Sequence, residues 1–332
     1  MVAPQASAGL RRPAGRVERL KSSTHGASGR VEDAVAHAHV SALKFAKGWA
    51  EARLARMGLS VGSFSSVSGG NTSITLAIET TDLAGAAGSR FFLKIPQHQQ
   101  PALIRAMHVE FLVLQEWHSL LAAQRIGSSG LRVLAPEPVS IDEESGCYLM
   151  RGCRGTPANE LLNSKEHPFV RESDSVVQAL TAALYAYYSA YSRAHGDLGL
   201  HNLVVREGQI CLLDPSPSPV PRLRVEMISG SDDLFAFDLG NWLFVVVYKR
   251  VRMTFRSPII RRRELVHSCI LIRGLINEAE TRDLDDVRAA VMAHLSVRRR
   301  RALAERRLHV VNDVVGLPAL WQARRILRTL TQ

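Results

Sequence analysis

The residues best suited to chemistry lie in one stretch, His195-Gly-Asp197-Leu-Gly-Leu-His-Asn202, followed by Asp214 in the apolar run Ile210-Cys-Leu-Leu-Asp-Pro. An aspartate, an asparagine five residues on and a second aspartate at the end of a short strand suit phosphoryl transfer. That reaction asks little covalent help of a protein. It needs metal ligands, a cation on the phosphates and a carboxylate that orients the attacking hydroxyl. Asp197, on a turn, suits the last role, for which a positioned base contributes ~10²–10⁴-fold. Asn202 and Asp214 offer hard oxygens of the kind Mg²⁺ takes. Singly, each has a plainer reading: Asp after Gly is a common turn residue, and Asp before Pro often ends a strand. Their joint spacing favours the chemistry.

Several elements must position these residues. Apolar spacing predicts one or two helices over residues 31–59. Strands follow over 61–67 and 73–79 around the turn Ser68-Gly69-Gly70-Asn71-Thr72, and a Gly/Ala loop over 82–89 precedes a third strand over 90–96. That strand carries Lys94, one of only six lysines in a chain with 36 arginines. A helix over 101–123 contains Glu110, and strands over 131–141 and 147–150 complete a five-stranded antiparallel lobe. The breaker-rich segment 151–157 is the expected hinge. A long helix over 168–194 leads into His195, and a hairpin of strands 202–205 and 209–213 delivers Asp214. Helices then run from Asp233 to the C-terminus. Residues 1–30 mix Ala, Gly, Ser, Pro and Arg without periodicity, as a disordered leader does. The expected organisation is therefore a leader (1–30), an N-lobe with a preceding helix (31–150), a hinge (151–157) and a helical C-lobe holding the catalytic loop (158–332).

The set His195-Gly-Asp197-Leu-Gly-Leu-His-Asn202, Leu213-Asp214-Pro and Phe237-Asp238-Leu-Gly resembles the aminoglycoside-phosphotransferase-like branch of the protein-kinase-like fold. The resemblance covers roughly residues 60–245 and implies an α+β, two-lobed fold: a five-stranded antiparallel N-lobe with one main helix and a mostly helical C-lobe. It implies ATP and Mg²⁺ as cofactors, Asp197 as catalytic base, Asn202 and Asp214 as metal ligands, and His195 and Asp238 as structural support. It further implies that Gly69, Gly70, Asn71, Thr72 and Ser73 cover the phosphates and that Lys94 contacts them while pairing with Glu110. Met150, Arg151 and Gly152 would present backbone to the adenine. The chain has no Walker A motif and no G-x-G-x-x-G. Glu116 lies on the same predicted helix and competes with Glu110 for the pairing.

Composition sets the remaining expectations. The net charge of +11 lies wholly in residues 249–332, which hold nineteen basic residues against eight acidic ones. A basic acceptor side disfavours a polycationic aminoglycoside and favours a neutral or anionic small molecule, or a peptide whose acidic segment rests on the C-terminal helices. The plainer reading of those arginines is a solvated face. A nucleic-acid partner is not favoured, since no aromatics interleave the charges. No apolar run is long enough for a membrane span. Cys147, Cys153, Cys211 and Cys269 form no C-x-x-C, as expected for reduced thiols in a cytoplasmic enzyme. The alternatives to a small-molecule phosphotransferase are a Ser/Thr kinase of a precursor peptide and a pseudokinase acting as a binding module.

Overall fold

The computed structural model describes residues 25–67, 73–82, 87–123, 130–161, 173–215, 231–252, 258–281, 287–304 and 310–330. The chain forms two compact units, Met1–Lys44 and Phe45–Gln332. In the first unit the described residues belong to helix α1 (His25–Arg56), which continues into the second unit. Of the expected leader, residues 1–24 lie outside the described residues and 25–30 are already helical.

In chain order the second unit continues with strands β1 (Leu59–Val67), β2 (Ser73–Asp82) and β3 (Ala87–Pro96), helix α2 (Pro101–Ala123), and strands β4 (Arg132–Leu134), β5 (Glu137–Ile141), β6 (Tyr148–Arg151) and β7 (Thr156–Pro157). Strands β1, β2, β3, β6 and β5, in that spatial order, make a five-stranded sheet whose neighbours are all antiparallel. Side chains alternate along β3, so Phe91, Leu93 and Ile95 share one face. Phe92 and Lys94 lie on the other, opposite Met150 and Tyr148 of β6. Helix α2 packs on this second face, with the Phe111 and Tyr148 rings 5.5 Å apart. A sheet face that buries a lysine must give it partners, and α2 supplies one.

The segment expected as one strand over 131–141 is two. Ala135-Pro136 interrupts it, and β4 leaves the first sheet to pair in parallel with β9 (Gln209–Leu212). That strand forms the expected hairpin with β8 (Leu203–Arg206), and β7 adds to its other edge. The second sheet therefore runs β4-β9-β8-β7 and joins residues on both sides of the expected hinge. Gly155 makes the close approach at β7 work: its φ is +146°, and a Cβ there would stand 2.5 Å from the Val205 carbonyl oxygen.

Helices α3 (Ser173–Tyr191), α4 (Ser231–Arg252), α5 (Pro258–Glu280), α6 (Val287–Ala304) and α7 (Val310–Leu330) complete an α+β fold with seven helices among the described residues. Trp117 of α2 stacks on Tyr187 of α3 with ring centroids 3.9 Å apart. Helix α4 packs against α5, α6 and α7, and its buried Trp242 donates to Ser268 Oγ at 3.2 Å. Among the described residues no helix is long and apolar enough to cross a membrane.

The cysteines correct the sequence expectation. Cys153, just after β6, is disulfide-bonded to Cys211 of β9, with Cα atoms 6.3 Å apart. The two are 58 residues apart in sequence, and the pairing of β7 with β8 and of β8 with β9 brings them together. Cys147 and Cys269 are free thiols whose pKa values burial pushes up to about 11.

Candidate active site

Lys94 is buried, and its ammonium stands between two carboxylates. One is Glu110 of α2, in direct contact. The other is Asp214, whose Oδ1 lies 3.0 Å from Nζ. Burial alone would lower the Lys94 pKa, but Asp214 and Glu110 more than offset it and hold the group above its ordinary value. Burial raises the Glu110 pKa against the pull of Lys94. The Tyr148 hydroxyl donates to the same Glu110 oxygen at 2.7 Å, which fixes the carboxylate's orientation. Glu116 does not compete: it accepts from Arg193 at 3.0 Å and from the Tyr187 hydroxyl at 3.1 Å, tying α2 to α3.

Asp214 follows β9 with φ +47°, a left-handed conformation that a non-glycine residue adopts at a cost. The residue before it is anchored, the Leu213 N–H donating to the Asn202 carbonyl at 2.8 Å. Asn202 ends a single 3₁₀ turn (Leu200–Asn202) and is buried. Its side-chain nitrogen donates to the Asp197 carbonyl at 2.8 Å and to Asp197 Oδ2 at 3.0 Å. His201 Nε2 also approaches Oδ2, at 3.3 Å. Burial would raise the Asp197 pKa, but the His201 and Asn202 hydrogen bonds and the neighbouring imidazoles hold it below the ordinary carboxylate value. Asp197 is therefore ionised at neutral pH, half-exposed and fixed in direction.

Asp238 holds this loop from behind. It is fully buried in α4, with Oδ2 accepting from the His195 N–H at 2.7 Å and the Tyr188 hydroxyl at 2.6 Å, and Oδ1 from the Gly196 N–H at 2.8 Å. Asn241, one turn on, donates to the Gly196 carbonyl at 2.9 Å. Burial raises the Asp238 pKa to about 6 despite these hydrogen bonds. His195 is buried against the edge of Trp117, ring centroids 5.7 Å apart, and burial pushes its pKa down to about 4.

The structure thus brings together Lys94 with Glu110 and Asp214, Asp197 with Asn202, and His195 with Asp238. Gly69, Gly70, Asn71 and Thr72 lie outside the described residues; Ser73 is the buried first residue of β2. Met150 and Arg151 are ladder residues between β3 and β5, and the Gly152 N–H donates to the Arg90 carbonyl at 2.8 Å. Sequence reasoning did not single out Tyr148, Tyr188, His201 or Asn241. Only His201 carried a signal, its place four residues after Asp197.

Asn202 spends both donor bonds on Asp197, which leaves its amide oxygen as an acceptor beside the anchor of Asp214. One amide oxygen and one carboxylate are a hard donor pair that fits Mg²⁺ sharing its shell with phosphates. Among the described residues no group of three or more His, Cys, Asp or Glu could hold a metal ion.

No family model and no curated protein matches this chain. Among solved structures it is similar to the kinase domain of Mycobacterium tuberculosis PknI, at 14% identity and TM-score 0.39, with 71% of this chain and 96% of that chain covered.

Proposed function

We propose that this chain is an ATP-dependent, Mg²⁺-requiring phosphotransferase of the protein-kinase-like fold, in its aminoglycoside-phosphotransferase-like branch. The observation that carries the reading is the buried Lys94 held between Glu110 and Asp214, with Asp197 and Asn202 hydrogen-bonded to each other and their loop tied to Asp214. ATP and Mg²⁺ would supply the phosphoryl group and the cation that neutralises charge developing in its transfer. Lys94, kept protonated and aimed by two carboxylates, binds the nucleotide phosphates. Asn202 and Asp214 would hold the metal. The segment 69–73 would cover the phosphates. The adenine would be met by hinge backbone beyond Gly152, since Met150 and Arg151 are laddered to β3 and β5 and the Gly152 N–H is given to the Arg90 carbonyl. Asp197 accepts the hydrogen of the acceptor hydroxyl and orients its oxygen; its lowered pKa makes it a positioning base more than a proton sink.

The acceptor in this reading is a small molecule or peptide that is neutral or anionic rather than polycationic, since the charge excess falls in residues 249–332. The same arginines favour, second, a Ser/Thr kinase of a precursor peptide with an acidic leader. A cytoplasmic setting belongs to this reading.

The test is ATP turnover and product mass with purified protein, Mg²⁺ and panels of sugars, phosphorylated metabolites, peptides and aminoglycosides, beside Asp197→Ala. Turnover lost in Asp197→Ala is the expected result. Absence of nucleotide binding sinks the reading, nucleotide binding without turnover on any panel leaves a binding module, and equal turnover in Asp197→Ala removes Asp197 from its role.

A further inference from the structure

The Cys153–Cys211 disulfide lies in the wall of a cavity of about 220 Å³, together with His118, Arg151, Arg154 and Arg206. Of the residues assigned from sequence to the nucleotide, Arg151 and Gly152 line it, while Lys94, Glu110, Asp197, Asn202 and Asp214 do not. Glu137 is the carboxylate in the wall, and it is paired with Arg151 at 2.8 Å. Arg154 and Arg206 therefore leave the cavity with net positive charge beside a disulfide. Cys153 is half-buried and Cys211 buried, so an incoming group meets the Cys153 sulfur first.

The bond also has a mechanical position. Cys211 lies three residues before Asp214 on β9, and Cys153 two before Gly155, where the chain is pressed onto β8. The disulfide is a covalent tie between the segment leaving the first sheet and the strand that delivers Asp214. The Cys153 segment is otherwise joined to this sheet by the two-residue β7 ladder and the Ala158 N–H to the Leu203 carbonyl at 2.8 Å. Strand β9 itself is laddered to β8 and β4, and its end is held by the Leu213–Asn202 bond. In a reducing compartment a disulfide of this kind is a transient, exchanging bond.

We propose that Cys153–Cys211 is a thiol–disulfide exchange site whose arginine-bearing cavity takes anionic low-molecular-weight thiols, and that its state sets how firmly β9 and Asp214 are held. An anionic thiolate attacks the Cys153 sulfur, forming a mixed disulfide while Cys211 leaves as thiolate and takes a proton from solvent. A second thiolate attacks the outer sulfur of that mixed disulfide, releasing the small-molecule disulfide and the Cys153 thiolate, which is protonated in turn. Two thiols are oxidised and one protein disulfide is reduced; the reverse sequence re-forms the bond at the expense of the small disulfide. The exchange itself does not depend on the proposed phosphoryl transfer; only the meaning of loosening Asp214 rests on it.

Reduction of the full chain by glutathione, which is anionic, is compared with reduction by cysteamine, which is cationic, at equal thiolate concentration. Reduction is followed by alkylation and intact mass. Charge steering predicts that glutathione reacts about tenfold faster at low salt and that the advantage fades as ionic strength rises. It also predicts that the double variant Arg154→Glu with Arg206→Glu inverts the order. Four free thiols after equilibration with excess oxidised glutathione, or equal rates for the two thiols at all salt concentrations, overturn the exchange site. Should the double variant fail to fold, the salt dependence in the unaltered protein decides alone. Hydrogen exchange of residues 209–215 tests the coupling, with Cys153→Ser as the permanently open form. Faster exchange after reduction and in Cys153→Ser is expected; unchanged protection in both overturns the tie. None of these readouts uses ATP, so they stand apart from a failure of the phosphotransferase reading.

Discussion

A carboxylate whose pKa is held down is a poor proton acceptor and a good director of hydrogen bonds, and Asp197 is of this kind. Asp197→Asn keeps the side chain's size and removes its charge. Phosphoryl transfer should fall ~10²–10⁴-fold while nucleotide affinity by calorimetry changes little. His201 is the closer test of why the pKa is low. In His201→Gln the imidazole's share of that stabilisation is gone, the Asp197 pKa rises, and the acid limb of the rate–pH profile moves to higher pH. Gly199→Ala should do the same without replacing either residue. Its backbone is extended, but a Cβ there would stand 2.8 Å from His201 Cε1 and 2.9 Å from Nδ1, driving the ring off Asp197. An unmoved acid limb in both variants would mean that His201 does not tune Asp197. The spacing of Asp197, Asn202 and Asp214 was readable in the sequence because it is local. The choice between Glu110 and Glu116 was not: both fit the helix, and only packing shows that one meets Lys94 and the other Arg193.

The catalytic loop keeps its shape because α4 presents one carboxylate to three donors. Asp238→Ala would leave the His195 and Gly196 N–H groups and the Tyr188 hydroxyl buried without their acceptor. At ~1–3 kcal/mol for each unsatisfied group, the loss by urea unfolding should be at least about 3 kcal/mol. Tyr188→Phe removes a single donor and leaves the backbone bonds in place, so it should cost about 1 kcal/mol. Equal losses in the two variants would refute this division of labour. The main helices and the first sheet were legible from period and turn residues, except that the run over 131–141 did not reveal its break at Ala135-Pro136. Of the second sheet only the β8–β9 hairpin was. Its β4–β9 pairing is parallel and joins residues 77 apart in sequence, so neither strand carries a local sign of the other. The disulfide was missed for the same reason, since cysteine spacing says nothing when topology makes the contact.

Stability of the whole molecule should depend on pH through two buried groups of opposite sign. His195 titrates near 4 in the folded chain against 6.5 ordinarily. Below pH 6.5 the unfolded chain takes up the proton first, so this contribution is full above that pH and is lost as pH falls toward 4. Asp238 titrates near 6 in the folded chain against 3.8 ordinarily. Here the folded chain binds the proton first, so the contribution is full below 3.8 and is lost as pH rises through 6. Gaps of this size are each worth roughly 3 kcal/mol, and because the windows overlap they largely cancel in the unaltered protein. Removing one should therefore expose the other. Asp238→Asn should steepen the loss of stability between pH 6.5 and 4, and His195→Gln should flatten or invert it, whatever constant penalty either substitution adds. Urea unfolding at several pH values across that interval reads the slopes directly. Parallel curves for both variants and the unaltered protein would show that neither group changes its protonation between the folded and unfolded chain.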